Sequence, residues 1–259
     1  MATALITGAS NGIGLELAKI YASKGNNLVL VARNVLKLNE IKAELEKQYK
    51  IKVLNIGIDL SMPNAAQEVY NQTTANNIQV DYLINNAGFG DFGMFTETDW
   101  NKELQMINLN ITTLTQFTKL YLRDMVKRGK GKIMNLASTA AFQSGPTMAV
   151  YYATKAYVLN FSEAIDNEVR SKGVTVTTLC PGPTESGFQA ASAMEESNLV
   201  KGRKLPSAKE VAQYGYDSMM KGKVVAIHGI MNWIMAQSVR FFPRAAVVKI
   251  TRKMQDKTI

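Results

Sequence analysis

Tyr151 and Lys155 stand four residues apart in Tyr151-Tyr152-Ala153-Thr154-Lys155. On a helix that spacing puts them on one face, about one turn apart. A cation beside a phenol favours the phenolate. Lys155 is therefore expected to draw the Tyr151 pKa down from roughly 10 toward working pH, making it an acid or base. Ser138, 13 residues upstream, supplies a hydroxyl at a strand end. The spacing Y-x-x-x-K also occurs on ordinary exposed helices, so its meaning depends on the elements around it.

Those elements begin at the N-terminus. Thr3 to Thr7 reads as an apolar strand that runs into Thr7-Gly8-Ala9-Ser10-Asn11-Gly12-Ile13-Gly14 and then a helix to about Ser23. Strand, glycine turn and helix form the setting in which a backbone approaches a pyrophosphate and a helix N-terminus faces it. The spacing here is G-x-x-x-G-x-G rather than G-x-G-x-x-G. Leu28 to Ala32 is a second strand, apolar as one buried on both faces should be. It ends at Arg33 without a carboxylate in reach. A cation there pairs with a 2′-phosphate, which points to NADP(H).

Asn34 caps a helix to about Tyr49 with Leu38, Ile41 and Leu45 on one stripe. Lys52 to Gly57 is the third strand, followed by Asp59-Leu60, with Pro63 near the next helix start. Val80 to Ile84 is the fourth, closed by Asn85-Asn86-Ala87-Gly88. One long helical stretch covers Thr98 to Val126 and contains Asn108 and Asn110, poor helix formers that need a role. After a basic turn, Ile133 to Ala137 leads into Ser138. The Tyr151 helix continues to about Arg170, and Val174 to Leu179 precedes Cys180-Pro181-Gly182-Pro183-Thr184. Strand and helix alternate throughout, which predicts a single doubly wound parallel sheet of about seven strands, an α/β (Rossmann) domain over residues 1–229. Every motif falls at the carboxyl end of a strand, where such sheets bind ligands.

One cysteine precludes an internal disulfide and fits a reducing compartment. With no signal-peptide pattern and no long apolar run, a cytoplasmic location is expected. A net charge of +9 suits anionic partners, but zinc-finger spacing and RNA-binding aromatic motifs are absent, which disfavours nucleic acid. His228, the sole histidine, reads as structural, so no metal site is expected.

The chain resembles the short-chain dehydrogenase/reductases over essentially residues 3 to 229, with a pattern nearest to bacterial-type short-chain oxidoreductases. Thr7-Gly8-x-x-x-Gly12-x-Gly14, Asn85-Asn86-Ala87-Gly88, Ser138, Tyr151-x-x-x-Lys155 and Pro181-Gly182 carry the resemblance. It implies hydride transfer between a nicotinamide and a carbonyl or alcohol. Tyr151 would be the acid/base, Lys155 would tune it and hold the nicotinamide ribose, and Ser138 would bond the reacting oxygen. Asn110 would hold the water of a proton relay. Asp59 and Leu60 would flank the adenine, Asn86, Ala87 and Gly88 the adenosine ribose, and Pro181, Gly182 and Thr184 the nicotinamide side. The resemblance also implies a homodimer or homotetramer. Two departures stand out: Asn11 occupies a position often basic in NADP-preferring members, and the chain ends in a basic tail.

Phe89, Phe92, Met94, Phe95, Thr139, Phe142, Met148 and Phe188 follow the strand-end motifs and are expected to line an apolar substrate pocket. Ser186 to Leu205 is polar and patternless, as a lid would be. The tail, residues 230–259, mixes Trp233, Ile234, Val239, Phe241 and Phe242 with Arg240, Arg244, Lys249, Arg252 and Lys253. Peripheral membrane contact, a cover over the substrate site and a subunit interface all fit this mixture. The number of apolar residues favours packing as a buried stripe. The leading reading is an NADP(H)-dependent carbonyl reductase or alcohol dehydrogenase acting on an apolar substrate. The alternatives are a catalytically silent NADP(H)-binding regulator or scaffold and, with little room after Thr184, an epimerase.

Overall fold

A computed structural model describes residues 1–187, 202 and 204–255. The strands are β1 (Thr3–Thr7), β2 (Asn27–Ala32), β3 (Val53–Gly57), β4 (Tyr82–Asn85), β5 (Gly131–Leu136), β6 (Val174–Cys180) and β7 (Val225–Ile227). They pair in the order β3-β2-β1-β4-β5-β6-β7, all parallel. The helices are α1 (Gly12–Ser23), α2 (Val35–Tyr49), α3 (Ala65–Ala75), α4 (Trp100–Ile107), α5 (Leu114–Arg128), α6 (Ala149–Val169), α7 (Ala208–Met220), α8 (Ile230–Ser238) and α9 (Arg244–Gln255). The chain order reverses between β1 and β4, and a crevice opens at such a switch point.

The middles of the central strands are apolar on both faces because both sheet faces are covered. On β1 and β2, Ala4, Ile6, Leu28 and Leu30 pack with Leu17 and Tyr21 of α1, Leu38 of α2 and Met219 of α7. The alternate residues Leu5, Val29 and Val31 pack on the opposite face with Val69 of α3 and Phe117, Tyr121 and Met125 of α5. A one-residue register slip would exchange these two sets, so the pairing is tightly specified.

Several boundaries differ from those expected. The Val80 carbonyl accepts a hydrogen bond from the Arg128 guanidinium at 2.7 Å, and β4 begins only at Tyr82. β6 extends through Cys180, which pairs with Ile227. The largest correction concerns the single helix expected over Thr98 to Val126. Asp99 caps α4 by accepting from Lys102 N at 2.9 Å, and Asn108–Thr113 forms a π-helical turn that separates α4 from α5. Asn110, within that turn, reaches sideways: its Nδ2 donates to Phe89 O at 3.0 Å and to Thr154 Oγ1 at 3.1 Å. Such widened turns form where tertiary contacts compete with the helical ladder.

A buried polar chain joins the sheet to the helix that carries Tyr151. Asn85 Nδ2 donates to Asn135 Oδ1 at 2.9 Å and to Thr118 Oγ1 at 3.1 Å, and Asn135 Nδ2 donates to Ser162 Oγ at 2.9 Å. These links connect β4, β5, α5 and α6. Replacing Asn135 with leucine removes one acceptor from the Asn85 amide, which keeps Thr118, and one donor from the Ser162 hydroxyl, which still donates to Val158 O, with an expected loss of about 1–3 kcal/mol. Denaturant unfolding of Asn135→Leu beside the wild type checks this; a loss below about 0.5 kcal/mol would show that the chain is not a structural link.

Candidate active site

A cavity of about 920 Å³ runs along the carboxyl edge of the sheet. One end is the β1–α1 turn. Gly8 has a φ of 66°, and a side chain on Gly14 would lie 2.3 Å from the Gly8 carbonyl oxygen, so neither position tolerates a Cβ. Asn86 secures this turn: its Nδ2 donates to the carbonyls of Thr7 (2.9 Å) and Gly8 (3.2 Å). Thr7 Oγ1 in turn accepts from the backbone N–H groups of Asn86 (2.9 Å) and Ala87 (3.0 Å). Thr7 thereby ties β1 to the end of β4. Its role was signalled only by its place at the head of the glycine motif.

Gly8, Ser10, Asn11, Gly12 and Ile13 line the cavity where α1 begins, and Asn11 makes no side-chain cap to that helix. A backbone pared of side chains at a helix start is the cradle a pyrophosphate requires, and the residues present fit a dinucleotide. Arg33 and Asp59 stand at the ends of β2 and β3. The Arg33 side chain is 80% exposed, with Nη1 4.0 Å from Asp59 Oδ2. Burial works to raise the Asp59 carboxyl. Hydrogen bonds from Ser61 N and Oγ and the Arg33 charge outweigh it and hold the group below its ordinary pKa. Leu60, Ala87, Gly88, Pro181, Gly182 and Thr184 also face the cavity. Gly14 does not; it serves the packing of the turn.

The middle of the cavity holds Ser138, Tyr151 and Lys155 together. Ser138 is in extended backbone at the start of a short 3-10 turn, Thr139–Phe142, where its Oγ accepts from Ala140 N at 3.1 Å. It also shares a hydrogen bond with the Tyr151 phenol. Lys155 Nζ lies 5.8 Å from the Tyr151 ring centroid and donates to Leu136 O at 2.8 Å. Tyr151 and Lys155 are only 8% and 4% exposed, and this burial governs how they titrate. Desolvation pushes the phenol up to about 12, against the opposing effect of the Ser138 hydrogen bond. Desolvation also draws the ammonium down to about 8, with Cys180 working the other way. In the cofactor-free site the phenol therefore stands above its ordinary value, desolvation outweighing the Ser138 hydrogen bond.

Asn110 sits close to Lys155: a Cβ built on Gly88 would meet Asn110 Oδ1 at 2.9 Å and Lys155 Nζ at 3.5 Å. It is buried behind the cavity wall, accepting from Phe89 N at 3.3 Å besides its two donated bonds, and does not face the cavity. Its geometry fixes the Phe89 loop to α6.

Of the expected substrate-side residues, Phe89, Thr139 and Met148 line the cavity. Phe142 turns instead toward Leu114, Ala137 and Val158. Phe92 and Met94 border a separate shallow depression with Arg252, and Phe95 is exposed. Phe188 lies outside the described residues, as does most of the stretch expected to form a lid. The remaining wall comes from the tail. Met235 and Val239, with Phe242, Val247, Ile250 and Met254, close the cavity opposite Tyr151. Tyr152, adjacent to the motif tyrosine, also faces inward and interacts with the buried side chain of Gln255 of α9.

Fold and site together define an oxidoreductase built on a nicotinamide-dinucleotide fold. Residues 2–197 match the short chain dehydrogenase family, to which the chain belongs. Very-long-chain 3-oxoacyl-CoA reductase of Macaca fascicularis is 27% identical over 98% of this chain and 80% of its own length. The Homo sapiens protein of that name is 32% identical over 69% of this chain, which spans 58% of the human protein. Among solved structures, a short-chain dehydrogenase from Sphingobium yanoikuyae in complex with NADPH superposes with a TM-score of 0.83 at 28% identity, covering 93% of this chain and 94% of the other. The bulky-bulky ketone specific alcohol dehydrogenase from Comamonas testosteroni gives 0.80 at 28% identity, with 93% and 92% covered.

The buried ammonium carries a stability cost that can be measured. Below pH of about 8 the folded chain must keep Lys155 charged away from water, and between about 8 and the ordinary lysine value the unfolded chain binds more protons. Stability contributed by this group therefore rises with pH through that window. Lys155→Met is expected to raise the melting temperature of the cofactor-free protein by several degrees at pH 7, roughly 1–3 kcal/mol. The gain shrinks toward pH 10. Thermal melts at both pH values check it; a destabilised variant at pH 7 would contradict it.

Proposed function

We propose that this protein is an NADP(H)-dependent reductase of a carbonyl group on an extended apolar substrate, with 3-oxoacyl thioesters as the favoured class. The observation that carries the proposal is the meeting of Ser138, Tyr151 and Lys155 midway along one cavity, between the glycine cradle and an apolar wall. The exposed Arg33 at the end of β2 supports a 2′-phosphate, and the NADPH complex of the Sphingobium protein supports it by likeness. The activity for which the macaque and human relatives are named and the apolar wall of α8 and α9 support the substrate class. A reducing compartment suits the single buried thiol of Cys180.

The nicotinamide, when bound, supplies the hydride. The residues that would hold it are the glycine turn, Arg33, Asp59, Asn86 to Gly88, Lys155 and Pro181 to Thr184. The chain's own work is to place and protonate the carbonyl oxygen. With a pKa near about 12, the Tyr151 phenol stays protonated at neutral pH and donates to the oxygen as negative charge develops there. Ser138 hydrogen-bonds the same oxygen and holds the phenol toward it. Lys155, still mostly charged below about pH 8, stabilises the phenolate that remains. The tail excludes water from the reacting groups.

Tyr151→Phe is expected to lower kcat about 10²–10⁴-fold while NADPH binding persists. Loss of the Lys155 charge should make the reduction rate fall as pH rises past about 8, seen in a pH profile of kcat. Arg33→Asp should exchange NADPH preference for NADH, measured as the ratio of kcat/KM for the two cofactors. Ketones, aldehydes and 3-oxoacyl thioesters form the substrate panel. Tight NADPH binding with no turnover on any of them would favour the silent, cofactor-binding alternative, and a wild-type preference for NADH would refute the role of Arg33.

A further inference from the structure

The wall that α8 and α9 form over the cavity has an outer side, and its composition is unlike that of an ordinary solvated surface. α8 presents a broad apolar face. At about 100° per residue, Trp233, Ile230, Ile234, Met231 and Met235 spread over an arc of about 200°, interrupted by Gln237 and by the terminal Ser238. All five apolar side chains are exposed, Ile230 by 74%. Only Ala236, on the opposite side, is fully buried in this helix. The turn that follows adds Phe241, 83% exposed, and Phe242. The tail thus covers the site, yet the apolar stripe expected to be buried faces outward. A contiguous exposed apolar patch of this kind marks an interaction surface.

Charge selects the partner. From Ile230 to Gln255 the sequence has Arg240, Arg244, Lys249, Arg252 and Lys253 and no acidic residue. A second copy docked here across a two-fold axis would set these cations against their equivalents, which is repulsive. An anionic bilayer accepts both components at once, the large side chains entering the headgroup boundary by about 5–10 Å while the cations meet lipid phosphates. Among the described residues no helix is long and apolar enough to cross a membrane, so the contact lies in the plane of the surface. Met235, Phe242 and Ile250 are exposed and also line the cavity. The patch and the cavity mouth are therefore continuous.

We propose that α8, the Phe241-Phe242 turn and the cationic side of α9 form a docking surface for anionic membranes, which lays the mouth of the active-site cavity against the lipid. An apolar substrate would then enter from the bilayer without crossing water. The docking itself does not depend on the substrate class proposed above.

The full-length chain is mixed with vesicles of pure phosphatidylcholine and with vesicles of about three parts phosphatidylcholine to one part phosphatidylglycerol. Expected are sedimentation with the anionic vesicles, weakening in about 0.5 M salt, and a blue shift of Trp233 emission in a Trp100→Phe background. The double variant Trp233→Glu/Phe241→Glu is expected to lose at least roughly tenfold in vesicle affinity. It should keep its melting temperature, its NADPH affinity and its rate on a small water-soluble ketone, since neither residue lines the cavity. Failure to sediment with anionic vesicles, or equal sedimentation of the double variant, would overturn the proposal. So would a lipid-free dimer, seen by sedimentation velocity, that the glutamates abolish; the occupant would then be a second copy. NADPH affinity and vesicle binding are read separately, so failure of the reductase assignment would leave this test intact.

Discussion

The hydrogen bonds from Asn85 to Asn135 and from Asn135 to Ser162 are the constraint on which the site rests. A parallel sheet delivers strand ends to one edge, but it does not set the height or rotation of a helix lying across it. The polar chain does, because its members are fully buried and each mispairing leaves a donor or acceptor without water. It joins the strand leading to Asn86 with the strand leading to Ser138 and with the helix bearing Tyr151 and Lys155. Asp166, farther along α6, adds a second point by accepting from Val176 N at 2.8 Å while pairing with Arg170. A helix held at both points to the sheet cannot rotate its reactive face away from the cavity.

That fixed face is buried, and burial sets how its groups titrate. Removing water from Tyr151 favours the neutral phenol, and removing it from Lys155 favours the amine, so burial alone would switch off a phenolate base. The same burial suits the reverse task. A protonated phenol is a proton donor, and an ammonium kept close to it in a low-dielectric setting acts most strongly when negative charge appears on the oxygen it faces. Ser138 bridges the two requirements, being held by Ala140 N while remaining bonded to the phenol. The fold tolerates a desolvated ammonium in its interior because the strand ends and α6 are also joined through Asn135–Ser162 and Asp166–Val176.

Much of this was legible in the residues. The apolar strands, the glycine turn, Arg33, the Asn86 loop, Ser138 and the Tyr-Lys pair are local patterns with local causes, and the parallel alternation of elements gathers them at one edge. What was illegible depends on partners far apart in sequence. The π turn at Asn108–Thr113 follows from Asn110 bonding to Phe89 and Thr154, neither visible in helical periodicity. Phe142 goes to the core because a 3-10 turn rotates it there. Tyr152 reads as the neighbour of a motif residue, yet it meets Gln255 across the cavity. The tail's mixture of apolar and basic residues was equally compatible with a cover and with a surface, and in the structure its inner side is one and its outer side has the composition of the other.

The most direct test of the account is a single turnover of NADPH deuterated at both C4 positions with a long-chain 3-oxoacyl thioester, followed by mass analysis of the product. The account predicts a 3-hydroxyacyl product carrying one deuterium at the new carbinol carbon, formed at a rate that declines as pH passes about 8. Bound NADPH that keeps its deuterium with this substrate and with bulky apolar ketones alike would contradict it.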